Sequence, residues 1–170
     1  MYLAYIGTSE DGHSVAGTFS LYSRPDCDFA VGCPGEPSIT QLGDEGVLFE
    51  QASLMVPPED VYLRAECGRP RKPGLDQDWV LNMSLFMRAD GMEPITTEQK
   101  PTTLDGVPVI LAEGSAHHNF GEIEATVNMQ VIASNASFLV LYAVRPSDGE
   151  LSPDAWHFLR SYSPAGNSMP

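Results

Sequence analysis

The sequence predicts an α+β fold in which an antiparallel sheet is sealed by two amphipathic helices. Three observations carry this expectation. The second half of the chain holds strand-length apolar alternations separated by short turns. Residues 77–89 switch to a three- and four-residue apolar period. Near the carboxyl end, Ser152-Pro153 forms a helix-start signal. A chain of 170 residues is sized for one compact unit, expected to span 1–163, with 164–170 a disordered tail.

The elements follow in chain order. Residues 15–22 (VAGTFSLY) alternate in part, and 29–31 run into Cys33-Pro34-Gly35-Glu36-Pro37, where two prolines remove ladder donors and end a strand. Residues 47–56 and 61–66, separated by Pro57-Pro58-Glu59-Asp60, predict a hairpin with Val61, Leu63 and Ala65 on one face and Tyr62, Arg64 and Glu66 on the other. The segment 68–74 (GRPRKPG) then gathers Arg69, Arg71 and Lys72 into a basic spot. Trp79, Val80, Met83, Phe86 and Met87 recur at helical steps, Asp76 is placed to cap the first turn and Gly91 to end the last, so a helix is expected over 77–89. Three antiparallel strands are expected at 107–113, 122–132 and 137–144, joined by the loop 114–121 (GSAHHNFG) and a turn at 134–136. In the middle strand Ile123, Ala125, Val127, Met129 and Val131 face one way. Glu122, Glu124, Thr126, Asn128 and Gln130 face the other, which leaves one side of the sheet for solvent or a partner. The last helix has Ser152 as N-cap, Pro153 at its first position and Leu151 stapled to Trp156. Phe158, Leu159 and Tyr162 extend its apolar stripe.

Charge bounds the function classes. Lys and Arg total 9 against 23 Asp and Glu, a formal net charge of −14, which repels phosphate backbones and anionic lipid at long range and sets nucleic acid aside as a partner. The longest apolar runs are strand-length, too short for a membrane span, and residues 1–6 (MYLAYI) lack the basic flank and length of an export signal. A cytoplasmic location follows if Met1 is the native start, and a cell-envelope one if a signal was removed. Three cysteines, Cys27, Cys33 and Cys67, rule out a full disulfide framework. A rigid strand between Cys27 and Cys33 holds them too far apart to bridge. Three reduced thiols are the plain expectation, with one bridge plus a free thiol left open.

The residues Phe29, Val31, Pro34, Gly35 and Pro37, then Gly106 leading Val107-Pro108-Val109-Ile110-Leu111, the strands at 123–132 and 138–144, and a terminal Phe158-Leu159-Arg160-Ser161-Tyr162 occur in an order that resembles the Mog1/PsbP-like superfamily, which includes DcrB-like bacterial proteins. The resemblance covers residues 18–163. It implies an α/β/α sandwich around a central antiparallel sheet, and proteins that act without chemistry of their own: regulators of small GTPases, extrinsic photosystem subunits, envelope proteins and chaperones of secretion effectors. These motifs shape turns and core and transfer no catalytic residue.

Candidate sites are few. His117 and His118 lie near Glu113, Glu122 and Glu124, a composition suited to a divalent metal, although neighbours in an extended segment point to opposite sides. The metal candidates are therefore His117, His118, Glu122 and Glu124, set against a solvated hairpin tip. No G-x-S-x-G or other nucleophile spacing is present, and no cofactor is expected. Trp79 and Trp156 read as core. The acidic first third, which includes Asp26 and Asp28, reads as solubility charge or as a face for a basic partner. The expected function is a non-enzymatic accessory or chaperone-like protein, monomeric or homodimeric, that binds another protein through Glu122, Glu124, Asn128 and Gln130 and through Arg69, Arg71 and Lys72. The alternatives are a carrier of a small apolar ligand between helix and sheet, and a metal-dependent hydrolase.

Overall fold

The computed structural model describes the backbone of residues 2–8, 14–23, 27–44, 47–56, 61–68, 87–88, 91–134, 137–146 and 149–164, and within these the side chains of 19–23, 27–40, 61–68, 87–88, 91–119, 121–134, 137–146 and 149–164. Eleven strands are present among them: β1 (Tyr2–Thr8), β2 (Ser14–Ser23), β3 (Phe29–Cys33), β4 (Ser38–Asp44), β5 (Val47–Val56), β6 (Val61–Gly68), β7 (Glu93–Leu104), β8 (Val107–Phe120), β9 (Ile123–Ala133), β10 (Phe138–Pro146) and β11 (Tyr162–Pro164). One helix, α1 (Pro153–Arg160), has both ends among the described residues.

The strands form two antiparallel sheets, a small one ordered β1-β2-β3-β11 and a large one ordered β4-β5-β6-β10-β9-β8-β7. This overturns the expected α/β/α sandwich. The chain is mostly β, and the layer over one face of the large sheet is a second sheet plus one short helix. The physical reason lies in the first third, where β1, β2 and β3 find ladder partners in one another and in β11. An eight-residue helix spans only about 12 Å, and α1 packs chiefly against β3, β6 and β10.

Several local expectations are met. β5 and β6 pair as the anticipated hairpin, and Val61, Leu63 and Ala65 are buried while Tyr62, Arg64 and Glu66 are half-buried. The Ser152 hydroxyl accepts from the Ala155 N–H at 3.2 Å, with Pro153 in the first turn. Of the helix expected over 77–89, Met87 and Arg88 are helical and 77–86 and 89 lie outside the described residues. Its stop is the anticipated one: Gly91, at φ +76°, donates to the Arg88 carbonyl at 3.0 Å and Met92 donates to Met87 at 2.8 Å, the two bonds of a Schellman cap.

Other expectations are corrected. β8 runs on to Phe120, so 114–120 is strand rather than loop, and the turn is confined to Gly121 and Glu122. β7 has no counterpart in the sequence reading, nor do β1 and β4. β7 turns into β8 through Asp105 (φ +48°) and Gly106 (φ +83°), a two-residue turn with both angles positive. Ser163 and Pro164 pair with β3, so Pro164 belongs to a strand and not to a tail; 165–170 lie outside the described residues. Leu151 packs against the core, whereas Trp156, expected in the core, is 40 % exposed.

Two apolar clusters occupy the two faces of the large sheet. One joins Phe29 and Val31 of the small sheet, Leu63, Ile132 and Leu141 of the large sheet, and Phe158 and Leu159 of α1. The other gathers Met87, Met92, Val127, Met129, Val140 and Tyr142. β9 therefore shows the anticipated alternation only in its first half; from Met129 onward both faces are buried. Cys27 and Cys67 form a disulfide that ties the entry of β3 to β6, while Cys33 is a buried free thiol. This replaces the expectation of three reduced thiols. It arises because sheet pairing brings together residues distant in sequence. Beside the bridge, an Asp28 carboxylate oxygen accepts from the hydroxyls of Ser137 (2.7 Å) and Ser134 (3.1 Å), and the Asp28 N–H donates to Ser137 Oγ at 3.2 Å. Asp28 thus anchors the β9–β10 turn. At the far end of β3, the Ser161 hydroxyl donates to the Gly32 carbonyl at 2.9 Å and fixes the exit of α1.

Candidate functional site

In antiparallel ladders directly opposed residues share a face, so the register places two polar rows across β7, β8 and β9. One row is Glu98, Glu113 and Gln130; the next is Thr96, Ser115 and Asn128. A third row in the opposite direction, Lys100, Leu111, Ile132 and Leu139, begins the dry core under α1. The same sheet face thus changes from apolar to polar past the edge of the helix. There Trp156, Leu159 and Arg160 of α1 overhang the polar rows, and a cavity of about 440 Å³ lies between helix and strands, within the usual range for ligand sites.

The floor is rich in acceptors. Gln130 is 5 % exposed, and its Nε2 donates to Glu113 Oε1 at 2.9 Å, which fixes the direction of the amide. The carbonyl oxygen of that amide, Gln130 Oε1, is buried with no donor among the described residues, as is Asn128 Oδ1. Thr96 and Ser115 share a hydrogen bond of 3.0 Å between their hydroxyls. Glu98 stands directly across from Glu113, a like-charged pair that destabilises the ladder unless something positive offsets it. Among the described residues no cation forms an ion pair with either carboxylate. The guanidinium of Arg160 lies instead 5.1 Å from the centre of the Trp156 ring. Burial, reinforced by the negative charge of Glu113, pushes the Tyr162 phenol above its ordinary value.

Of the residues singled out from sequence, Asn128 and Gln130 line this cavity. Glu124 lies farther along the same face opposite Asn119, and Glu122 sits in the β8–β9 turn; both are exposed and outside the cavity. His117 opposes Thr126 on the polar face, whereas His118 opposes Ala125 on the other. The His118 Nε2 lies 3.8 Å from where a side chain on Gly91 would begin. The two imidazoles therefore diverge, as adjacent strand residues must, and among the described residues no three His, Cys, Asp or Glu side chains are grouped to hold a metal. Arg69, Arg71, Lys72 and Trp79 lie outside the described residues.

Sequence reasoning missed Glu98, Glu113, Ser115, Trp156 and Arg160 as members of one site. The available signal was Asp105-Gly106, a hairpin-turn dipeptide that would have made 93–104 a strand and set Glu98 against Glu113. Nothing local marked Trp156. Its amphipathic position is compatible with core, yet it stands at the rim of the cavity, 40 % exposed. Among the described residues no helix is long and apolar enough to cross a membrane. A scan against protein-family models finds no match, and a search of curated proteins finds no significant match.

Proposed function

We propose that this protein is a non-catalytic accessory or chaperone-like module that binds another protein through the groove between α1 and the β7-β8-β9 end of the large sheet. The observation that supports this reading is the pair of buried amide oxygens, on Asn128 and Gln130, that no described donor satisfies. An acceptor left in that state costs about 1–3 kcal/mol, which a donor from a partner recovers. Trp156, half-exposed beside these buried polar groups, has the character of an interface anchor. The non-catalytic part of the reading is supported by the bonding of the groove: the hydroxyls of Thr96 and Ser115 bond each other, and Glu113 holds the Gln130 amide. Neither hydroxyl is thereby paired with a base that would activate it.

The carrier of a small apolar ligand fits less well. The buried apolar residues of β8, β9 and β10 divide between two packed clusters, and the cavity beside them has a polar floor. The metal-dependent hydrolase loses its premise with the divergence of His117 and His118. The test of the proposal is retention of a partner from native extract on immobilised protein, comparing the wild type with Trp156→Ala and Gln130→Met. One partner retained by the wild type, and at least ten-fold depleted on both folded variants, is the expected result. No retained partner at low and moderate salt, or equal retention by all three, would count against it.

A further inference from the structure

Within that reading, we infer that the groove is a receptor for a basic side chain, the guanidinium or ammonium group of an arginine or lysine presented by the partner. Four observations converge. Glu98 and Glu113 oppose each other across neighbouring strands with no ion pair to a described cation. The adjacent row and the end of the first add two buried carbonyl oxygens that lack donors, Asn128 Oδ1 and Gln130 Oε1. Gln130 is only 5 % exposed and lines the cavity, so its unmet acceptor is not a loose surface group. The apolar wall, Leu159 with the ring of Trp156, is suited to the methylene stem of a long basic residue.

The chemistry selects a cation with several donors. A carboxylate accepts a guanidinium at two points, and an amide oxygen is an acceptor only; the bond from Gln130 Nε2 to Glu113 turns the amide so that its oxygen is left to accept from another donor. An anion would meet two carboxylates and two carbonyl oxygens, with Arg160 as the cavity's cationic member. A single metal ion would find two carboxylates and the two amide oxygens, but among the described residues no three His, Cys, Asp or Glu side chains are grouped to hold one, and a cavity of about 440 Å³ is far more room than one ion fills. Arg160, held over the Trp156 ring at 5.1 Å, shows that this aromatic face already takes a guanidinium, so an incoming arginine competes with it there or lies beneath it on the carboxylates. The formal charge of −14 steers such a partner towards the protein at low salt.

The experiment is calorimetric titration of the intact protein with three alanine-glycine hexapeptides carrying one central arginine, lysine or citrulline, and separately with calcium chloride. The arginine or lysine peptide is expected to bind at least ten-fold more tightly than the citrulline peptide, and to weaken as salt rises. The double variant Glu98→Gln with Glu113→Gln is expected to lose at least ten-fold in affinity while its circular dichroism is unchanged. Gln130→Met, which keeps the bulk and removes the acceptor, is expected to lose several-fold. Equal binding of the citrulline peptide, binding indifferent to the Glu98 and Glu113 changes, or saturable calcium binding in place of peptide binding would overturn the inference. If the peptides fail while Trp156→Ala still releases a native partner, the basic side chain falls and the protein-binding groove stands; if both fail, both fall.

Discussion

Reduction of the Cys27–Cys67 disulfide is expected to be the most costly chemical change available to this fold. The bridge closes a loop with a sequence separation of 40, running from the entry of β3 through β4 and β5 to the end of β6. Cross-linking a loop of that length removes about 13 cal/mol/K from the unfolded chain, or ~4 kcal/mol at 25 °C. For a protein of this size that corresponds to a fall in Tm of roughly 8–16 °C. The assay is urea unfolding with and without reductant, followed by circular dichroism, together with a Cys27→Ala, Cys67→Ala double variant. The reduced protein should unfold at lower urea with a steeper dependence, because its unfolded ensemble is less constrained and exposes more surface. A difference below about 1 kcal/mol between the oxidised and reduced forms would refute the loop-entropy reasoning. A count of three thiols in denaturant before any reductant is added, where the bridge leaves one, would refute the bridge itself.

Three further outcomes follow from single residues. Burial pushes the Cys33 thiol up to about 12, so it is expected to resist iodoacetamide at pH 8 in the folded protein and to react on unfolding; labelling of the native state at the rate of a free thiol would contradict this. Asp28→Ala removes an acceptor of two hydroxyl donors at the β9–β10 turn and is expected to destabilise by about 2–3 kcal/mol, read from urea midpoints; a change within experimental error would show that the turn holds itself. The third concerns His157, half-buried with its ring 4.6 Å from that of Phe19. Burial lowers its pKa below the ordinary 6.5, against an opposing pull from Asp154. The fold favours the neutral imidazole, so this contribution is complete above the unfolded value of 6.5 and is lost as pH falls through the lower folded value. Urea midpoints between pH 8 and 5 should therefore fall more steeply for the wild type than for His157→Gln, and parallel curves would contradict the assignment.

The chain alone determined those features whose cause is local. The Ser152 cap and Pro153 at the start of α1, the Gly91 stop, the β5–β6 hairpin and the alternation along β6 were legible, because a period or a cap depends on residues within one turn or one strand of each other. The β7 strand was legible in principle from Asp105-Gly106. Tertiary structure decided the rest: that β1, β2, β3 and β11 make a sheet where a helical layer was expected, that Cys27 meets Cys67, that His117 and His118 belong to a strand occupying most of the anticipated loop, and that Trp156 stands at a rim. Each of these depends on which distant segment supplies a strand's hydrogen bonds or covers a helix's face. That choice is made by pairing and burial summed over the whole molecule; a polar row such as Glu98, Glu113 and Gln130 takes shape once three successive strands have come into register, and it becomes a groove only when α1, distant in sequence, packs beside it.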